Sequence, residues 1–417
     1  MKRSAGVGCG IFLACLASVG VGQAADIRIV AYNTLNRPND GVEDSWFTTV
    51  FGAIAEESVN GIAKRPDIVA VSETDTGSSA RLVDVLNNLY GVSSYQVITS
   101  SYDGAGDRTG VVYDSSTLTL QGWSDLTEIG THPIVRAQFR PVTQASPDSE
   151  FYVYAVHLKS GASASDKASR AVEAGNLRGN ADALGEGKHI IYAGDFNMLG
   201  SSEGAWTNMV AAGNGQAFDA AESPGEWRDN EDFKSLHSQD SRGPMDDRFD
   251  LQFVSGECLD GQGFEYLLGS YHVFGNNGTH TLNGSISTGS GASPTVLAAL
   301  EDASDHLPIV ADYCIREPEY VPGDANRDGN VDFYDYLIVK ANLGKTDRSW
   351  SDGDFDGDED VDRDDFLALR SNFGLRGSTF GGLPPDGAAV PEPATVVLLV
   401  GAGLAALRGR RGCAGIH

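Results

Sequence analysis

Strand-length apolar runs that stop at a carboxylate, an amide or an imidazole constrain this chain most. Three show it plainly: Val69-Ala70-Val71-Ser72-Glu73, Ala193-Gly194-Asp195-Phe196-Asn197 and Ala303-Ser304-Asp305-His306-Leu307-Pro308. Further strand-like runs are Ile27–Tyr32, Tyr95–Thr99, Gly110–Tyr113, Phe151–His157, His189–Ala193, Asp250–Val254 and Leu307–Tyr313. Many are apolar on both faces, so their sheets need cover on both sides. Amphipathic spacing predicts helices over Phe47–Asn60, Ala80–Tyr90 (stopped by Gly91) and Ser165–Leu184. Asp26–Arg316 therefore reads as one α/β unit. Gly275–Ser293, rich in Gly, Ser, Asn and Thr, reads as a surface loop. Sheet ends carrying hard oxygen ligands and imidazoles are how a metal-dependent phosphoester site is built.

The chain has 417 residues and a formal charge of −28. No basic stripe is present to follow a nucleic-acid backbone. The acidity favours a small or lipid substrate over long duplex DNA. A deoxyribonuclease is still allowed, because a divalent ion supplies positive charge that the side chains do not. Lys2 and Arg3, an apolar stretch to Val21 and Gly22-Gln23-Ala24 predict a signal peptide over 1–24. Of the five cysteines, Cys258 falls eight residues after Asp250 and Cys314 eight after His306. Strands leaving a common site in one direction would carry both thiols to the far edge. Either a disulfide or two buried free thiols fits an exported protein.

Six motifs in order resemble the endonuclease/exonuclease/phosphatase superfamily, in its deoxyribonuclease and sphingomyelinase branches, across 25–316. They are Ala31-Tyr32-Asn33, Glu73, His157-Leu158-Lys159-Ser160, Gly194-Asp195-Phe196-Asn197, Arg248-Phe249-Asp250 and Ser304-Asp305-His306. One departure is Ser72, where the family has Gln before its glutamate. The resemblance implies a four-layer α/β sandwich, with two mixed β-sheets face to face and helices outside. It implies Mg²⁺ or Mn²⁺ on Asn33, Glu73 and Asp305, with Asp195, Asn197, His157, His306 and Asp250 as catalytic residues. Asp195 would take a proton from the attacking water, Asn197 would hold a phosphate oxygen, and Asp250 would orient His306. Arg108 is a candidate phosphate contact. His132, His189, His237, His272 and His280 carry no motif and read as structural or surface. The function expected is an exported phosphodiesterase or nuclease. Its substrate is a nucleic acid, a lipid head group or a small phosphoester, and it acts as a monomer. The rivals are a phosphomonoesterase or sphingomyelinase-like enzyme, and a non-catalytic surface protein.

After a linker at 317–321, an acidic pattern appears twice, 30 residues apart. The first loop offers Asp324, Asn326, Asp328, Asn330, Asp332 and Asp335, with Gly329 at the sharp turn. The second offers Asp354, Asp356, Asp358, Asp360, Asp362 and Asp365, with Glu359 at the turn. This is EF-hand-type spacing for Ca²⁺. A helical apolar run follows each loop, Tyr336–Leu343 and Phe366–Phe373. Residues 322–374 resemble a type I dockerin, a small α-helical module whose relatives bind cohesin domains. Beyond a Gly/Pro-rich linker at 375–389, residues 390–417 carry Pro391-Glu392-Pro393, an apolar run and three arginines. They resemble a PEP-CTERM sorting signal read by membrane sorting machinery, which implies an exported or surface protein. The alternative is a permanent tail anchor.

Overall fold

The computed structural model describes residues 26–101, 107–144, 149–316 and 321–375. The signal at 1–24, linker residues 317–320, and the tail with its preceding linker residues 376–389 lie outside them. The chain divides into two units, Met1–Glu317 and Pro318–His417.

In the first unit the apolar runs pair into two sheets. One has the order β11 (Gly263–Tyr266), β13 (Ile309–Arg316), β1 (Asp26–Asn33), β2 (Ile68–Thr74), β4 (Arg108–Asp114), β3 (Tyr95–Thr99), with β12 (His272–Val273) also on β13. The other runs β5 (Leu118–Leu126), β6 (Ile134–Pro141), β7 (Phe151–His157), β8 (His189–Asp195), β10 (Asp250–Val254), β9 (Phe218–Asp219). The pairs β1–β2 and β7–β8 are parallel and the remaining pairs antiparallel, so both sheets are mixed.

Strand β8 shows why these runs are apolar on both faces. Ile191 and Ala193 enter the core between the sheets, while Ile190 and Tyr192 enter the core under the outer helices. The inter-sheet core includes a ring stack of Phe151 on Phe264 at 3.9 Å, which joins one sheet to the other. Helices α1 (Gly41–Glu56), α2 (Thr76–Tyr90) and α5 (Pro294–Ala303) cover the first sheet through Phe47, Phe51, Leu82, Leu86, Leu297 and Leu300. Helices α3 (Ala164–Asp182) and α4 (Gly204–Val210) cover the second through Ala174, Leu177 and Met209. The result is the expected four-layer sandwich. Helix α1 starts at Gly41 because Asp40 caps it, accepting from Val42 N and Glu43 N. Helix α2 ends at Gly91, at φ 64°. Ile286–Thr288, inside the expected loop 275–293, forms a short 3₁₀ turn.

Of the two alternatives for Cys258 and Cys314, the structure has the free thiols and not the disulfide. Cys258 and Cys314 are both free and buried. Tyr313 faces the core that holds Cys258. The alternation of β13 turns the next side chain, Cys314, to the opposite face of its sheet. Cys258 Sγ instead lies 3.8 Å from Ser255 Oγ and 3.9 Å from Ile190 O.

In the second unit, α6 (Phe333–Asn342) and α7 (Arg363–Asn372) each follow an acidic loop. Ala325, Val331, Val339, Phe355, Val361, Phe366 and Leu369 form its core. Gly323 lies against Leu369 of α7 and Gly353 against Val339 of α6, where added Cβ atoms would stand 2.9 Å from Leu369 Cα and 2.7 Å from Val339 Cγ2. Each loop thus enters across the other repeat's helix. Among the described residues, no helix is long and apolar enough to cross a membrane.

Candidate active site

Strand register gathers the polar ends. In the second sheet, β8 lies between β7 and β10, and Asp195 pairs with both His157 and Asp250. Gly194 sits at φ 146°, pressed to Val156, where a Cβ would stand 2.1 Å from the Val156 carbonyl oxygen. Only glycine fits that approach. Asn197 adopts φ 53°, which asparagine tolerates. Its backbone N–H donates to Asp195 Oδ1 at 2.8 Å, and its side chain donates to Leu158 O at 3.0 Å. One Asp195 oxygen is thus fixed and the other, Oδ2, faces the other sheet.

There, Asn33 ends β1 and pairs with Ser72 of β2, and a bulge between Val71 and Thr74 projects Glu73 at φ 44°. Asn33 Nδ2 donates to Glu73 Oε1 at 3.0 Å and to Asp195 Oδ2 at 3.2 Å, bridging the two sheets. It also lies 3.4 Å from His306 Nε2. Ser304 Oγ donates to Asn33 O at 2.7 Å and accepts from His306 N at 3.1 Å, which seats His306 beside the end of β1. His306 Nδ1 meets Asp250 Oδ2 at 2.7 Å, and Ser238 Oγ donates to the same oxygen at 2.7 Å. His157 Nε2 stands 3.9 Å from both Glu73 Oε1 and Asp195 Oδ2, and His306 Nε2 stands 3.8 Å from Asp195 Oδ2.

Burial and charge then set protonation. Asp195 is pushed up to about 8 by burial, with Asp250 and Glu73 adding to it and His306 opposing. Glu73 is raised by burial against its bond from Asn33. Burial pulls His306 down, but Asp250 and then Asp195 outweigh it and raise it to about 10. His157 is held well below the usual imidazole range by burial, then by His132 and His306. One imidazole is thus cationic at neutral pH and the other neutral.

Asn33, Glu73, His157, Asp195, Asn197, Asp250 and His306 therefore share one end of the sandwich. Asp305 is half-buried beside them, its Oδ1 3.5 Å from Ser304 Oγ. Arg108 starts β4 opposite Thr74, and its guanidinium bonds the Ser100 carbonyl. Arg248, which precedes Asp250 by two, anchors its loop to Asp219 at 2.7 Å and stacks over Trp227. Two groups escaped the sequence reading. Ser238 carries no motif, and His132 is brought flat against His157 only by the fold, at 4.0 Å between ring centres and 4° between planes.

Residues 322–374 match the dockerin type I domain model. Residues 389–411 match the PEP-CTERM protein-sorting motif. No curated protein matches the chain in sequence. Among solved structures, the chain is similar to an endonuclease/exonuclease/phosphatase from Bacteroides vulgatus, at 15% identity and a TM-score of 0.45, over 70% of this chain and 100% of that one. A family protein of that kind from Bacteroides thetaiotaomicron gives 16% and 0.44, over 70% and 96%. The human Nocturnin catalytic domain, with bound sulfate, gives 14% and 0.43, over 70% and 97%. Likeness at this level leaves activity and substrate to be argued from the site itself.

In the dockerin-type unit, Gly329 takes φ 80° and Glu359 φ 69° at the matching turns. Asp324 accepts from Gly329 N at 2.9 Å, and Asp354 from Glu359 N at 3.1 Å. Asp335 accepts from Ala325 N at 2.9 Å and Asp332 N at 2.8 Å, and Asp365 from Phe355 N at 2.6 Å and Asp362 N at 2.8 Å. Asp332 and Asp362 cap α6 and α7. In the second loop, Asp354, Asp356 and Asp365 can bring ligand oxygens within 4.8 Å of one another.

Proposed function

We propose that the first unit is an exported, metal-dependent phosphodiesterase and that the second binds Ca²⁺ in two loops. One observation carries the first reading. Five strands from two sheets, with the loop after α5, bring Asn33, Glu73, His157, Asp195, Asp250 and His306 to one place.

The donors suit a hard divalent cation. Glu73, His157 and Asp195 can place ligand atoms within 4.8 Å of one another, two of them carboxylate oxygens. The raised carboxyls of Glu73 and Asp195 are groups whose charge burial disfavours and a cation would favour. Glu73 would hold Mg²⁺ or Mn²⁺, with Asn33 and Asp305 beside it. An ion held there would supply Lewis-acid polarisation of the phosphoryl group and stabilisation of the departing oxygen. Asp195 Oδ2 faces the cleft, and in the ionised form that a bound cation would favour it takes a proton from water. His306, cationic through Asp250, donates to a phosphoryl oxygen, and neutral His157 can offer a hydrogen bond from Nε2 without adding charge. Asn197, locked to Leu158, fixes Asp195 and offers its second amide hydrogen to phosphate. Arg108 is a phosphate contact at the rim of β4.

The net charge of −28 favours a lipid head group or small phosphodiester over long duplex DNA. Turnover of sphingomyelin, RNA, plasmid DNA and bis-p-nitrophenyl phosphate in Mg²⁺ or Mn²⁺ tests this. Hydrolysis of a diester supports the reading; action on phosphomonoesters alone would replace it with a phosphatase. The dockerin-type unit would serve a cohesin-like partner, and the C-terminal motif the export and surface sorting of a monomer.

A further inference from the structure

The two imidazoles facing Asp195 are held by different means. His306 is oriented by Asp250, at 2.7 Å from Nδ1. The corresponding nitrogen of His157, Nδ1, is buried and meets no hydrogen-bond partner among the described residues. Its contacts to Glu73 and Asp195, at 3.9 Å, are too long to fix a ring. A ring lacking a second bond needs another constraint if its nitrogen is to stay aimed at the cleft.

The β5–β6 connection supplies one. It lays His132 on the face of His157 at 4.0 Å and 4°. The loop carrying His132 is itself pinned to α3. Glu173, only 4% exposed, accepts from Thr131 N at 2.8 Å and Thr131 Oγ1 at 2.6 Å through one oxygen. Through its other oxygen it accepts from Lys159 N at 2.6 Å, two residues beyond His157. One buried carboxylate therefore ties together the two segments that bear the stacked rings. Asn176 adds a bond to Ile129 O at 2.9 Å. Gly130 permits the close approach, since a Cβ there would stand 2.1 Å from Glu173 Cγ.

We propose that His132 and Glu173 are positioning residues for His157, the stack doing for this imidazole what Asp250 does for His306. This rests on the phosphodiesterase reading. The stack needs a flat ring rather than an imidazole, so the aromatic variant is informative. In the full-length protein with bis-p-nitrophenyl phosphate, His132→Ala lowers kcat roughly ten- to a hundredfold, with KM within about twofold, as expected for a misplaced group. His132→Phe, which keeps the ring face, retains kcat within about threefold on the same reasoning. Glu173→Gln keeps one acceptor oxygen and gives an intermediate loss. It carries the comparison should the alanine variant unfold.

A second readout needs no turnover. With the rings stacked, the His157 ring proton resonances are expected upfield and should move downfield in His132→Ala. Wild-type kcat in His132→Ala, a phenylalanine variant as impaired as the alanine one, or unmoved His157 resonances would each overturn the proposal. If the wild-type protein hydrolyses no phosphoester, the proposed function fails and His132 becomes packing alone, while the resonances still report the stack.

Discussion

Asp250 illustrates how one carboxylate sets the chemistry of a neighbour it never shares a strand with. Bonded to His306 Nδ1 at 2.7 Å, it lifts that imidazole to about 10 despite full burial. The folded state therefore binds this proton more tightly than the unfolded chain. The stabilisation is complete below the ordinary imidazole pKa near 6.5 and fades as pH climbs through about 10. Asp250→Asn removes the charge that lifts His306, so the alkaline limb of the pH–rate profile shifts to lower pH. An unmoved limb would show that His306 is not the group titrating there. Asp195, Asn197, His306 and Glu73 were legible because each ends or adjoins an apolar run in a recognisable motif. Ser238 and His132 were not, since their positions come from loops whose path no local pattern encodes. The fate of Cys314 turned on strand alternation, which spacing from the motif does not report.

Among elements, β8 is the one on which the site depends most. Its Gly194 lies against the Val156 carbonyl of β7, and a methyl there must push the two strands apart. Gly194→Ala is expected to destabilise the first unit by about 1–3 kcal/mol, the usual range for overpacking, and to misplace Asp195. Chemical denaturation and turnover of the variant check both effects. In the second unit, Glu359 adopts the left-handed turn, at φ 69°, that Gly329 adopts freely. Calcium should therefore bind the first loop more tightly, and Glu359→Gly should strengthen the second by about 1 kcal/mol. Calorimetry on Asp324→Ala, Asp354→Ala and Glu359→Gly distinguishes the loops, and a weaker site in Glu359→Gly would refute the turn argument. Buried strands such as His189–Asp195 were plain in the sequence. Strands β5 and β6 were not, because polar positions such as exposed Thr119 and half-buried Arg140 interrupt them. Helix α5 lay hidden behind a Gly/Ser-rich approach, although Ser293 caps it and Pro294 opens it.

At the scale of the whole molecule, the sequence order of six polar motifs becomes a spatial cluster only through pairing of the two sheets. Asn33 completes it by reaching both Glu73 and Asp195. The acidity of the chain is compatible with this site only if local positive charge is supplied at the phosphoester, which the donors around Glu73 suit. Phosphodiester hydrolysis here would require both a divalent ion held at Glu73 and Asp195 as the base. Its most direct measurement is the rate of bis-p-nitrophenyl phosphate hydrolysis by wild type and Asp195→Asn, in Mg²⁺ or Mn²⁺ and in excess EDTA. Turnover is expected only with metal, with a loss of about 10²–10⁴-fold in the variant. Full activity in EDTA, or a variant within about twofold of wild type, well short of that loss, would contradict it.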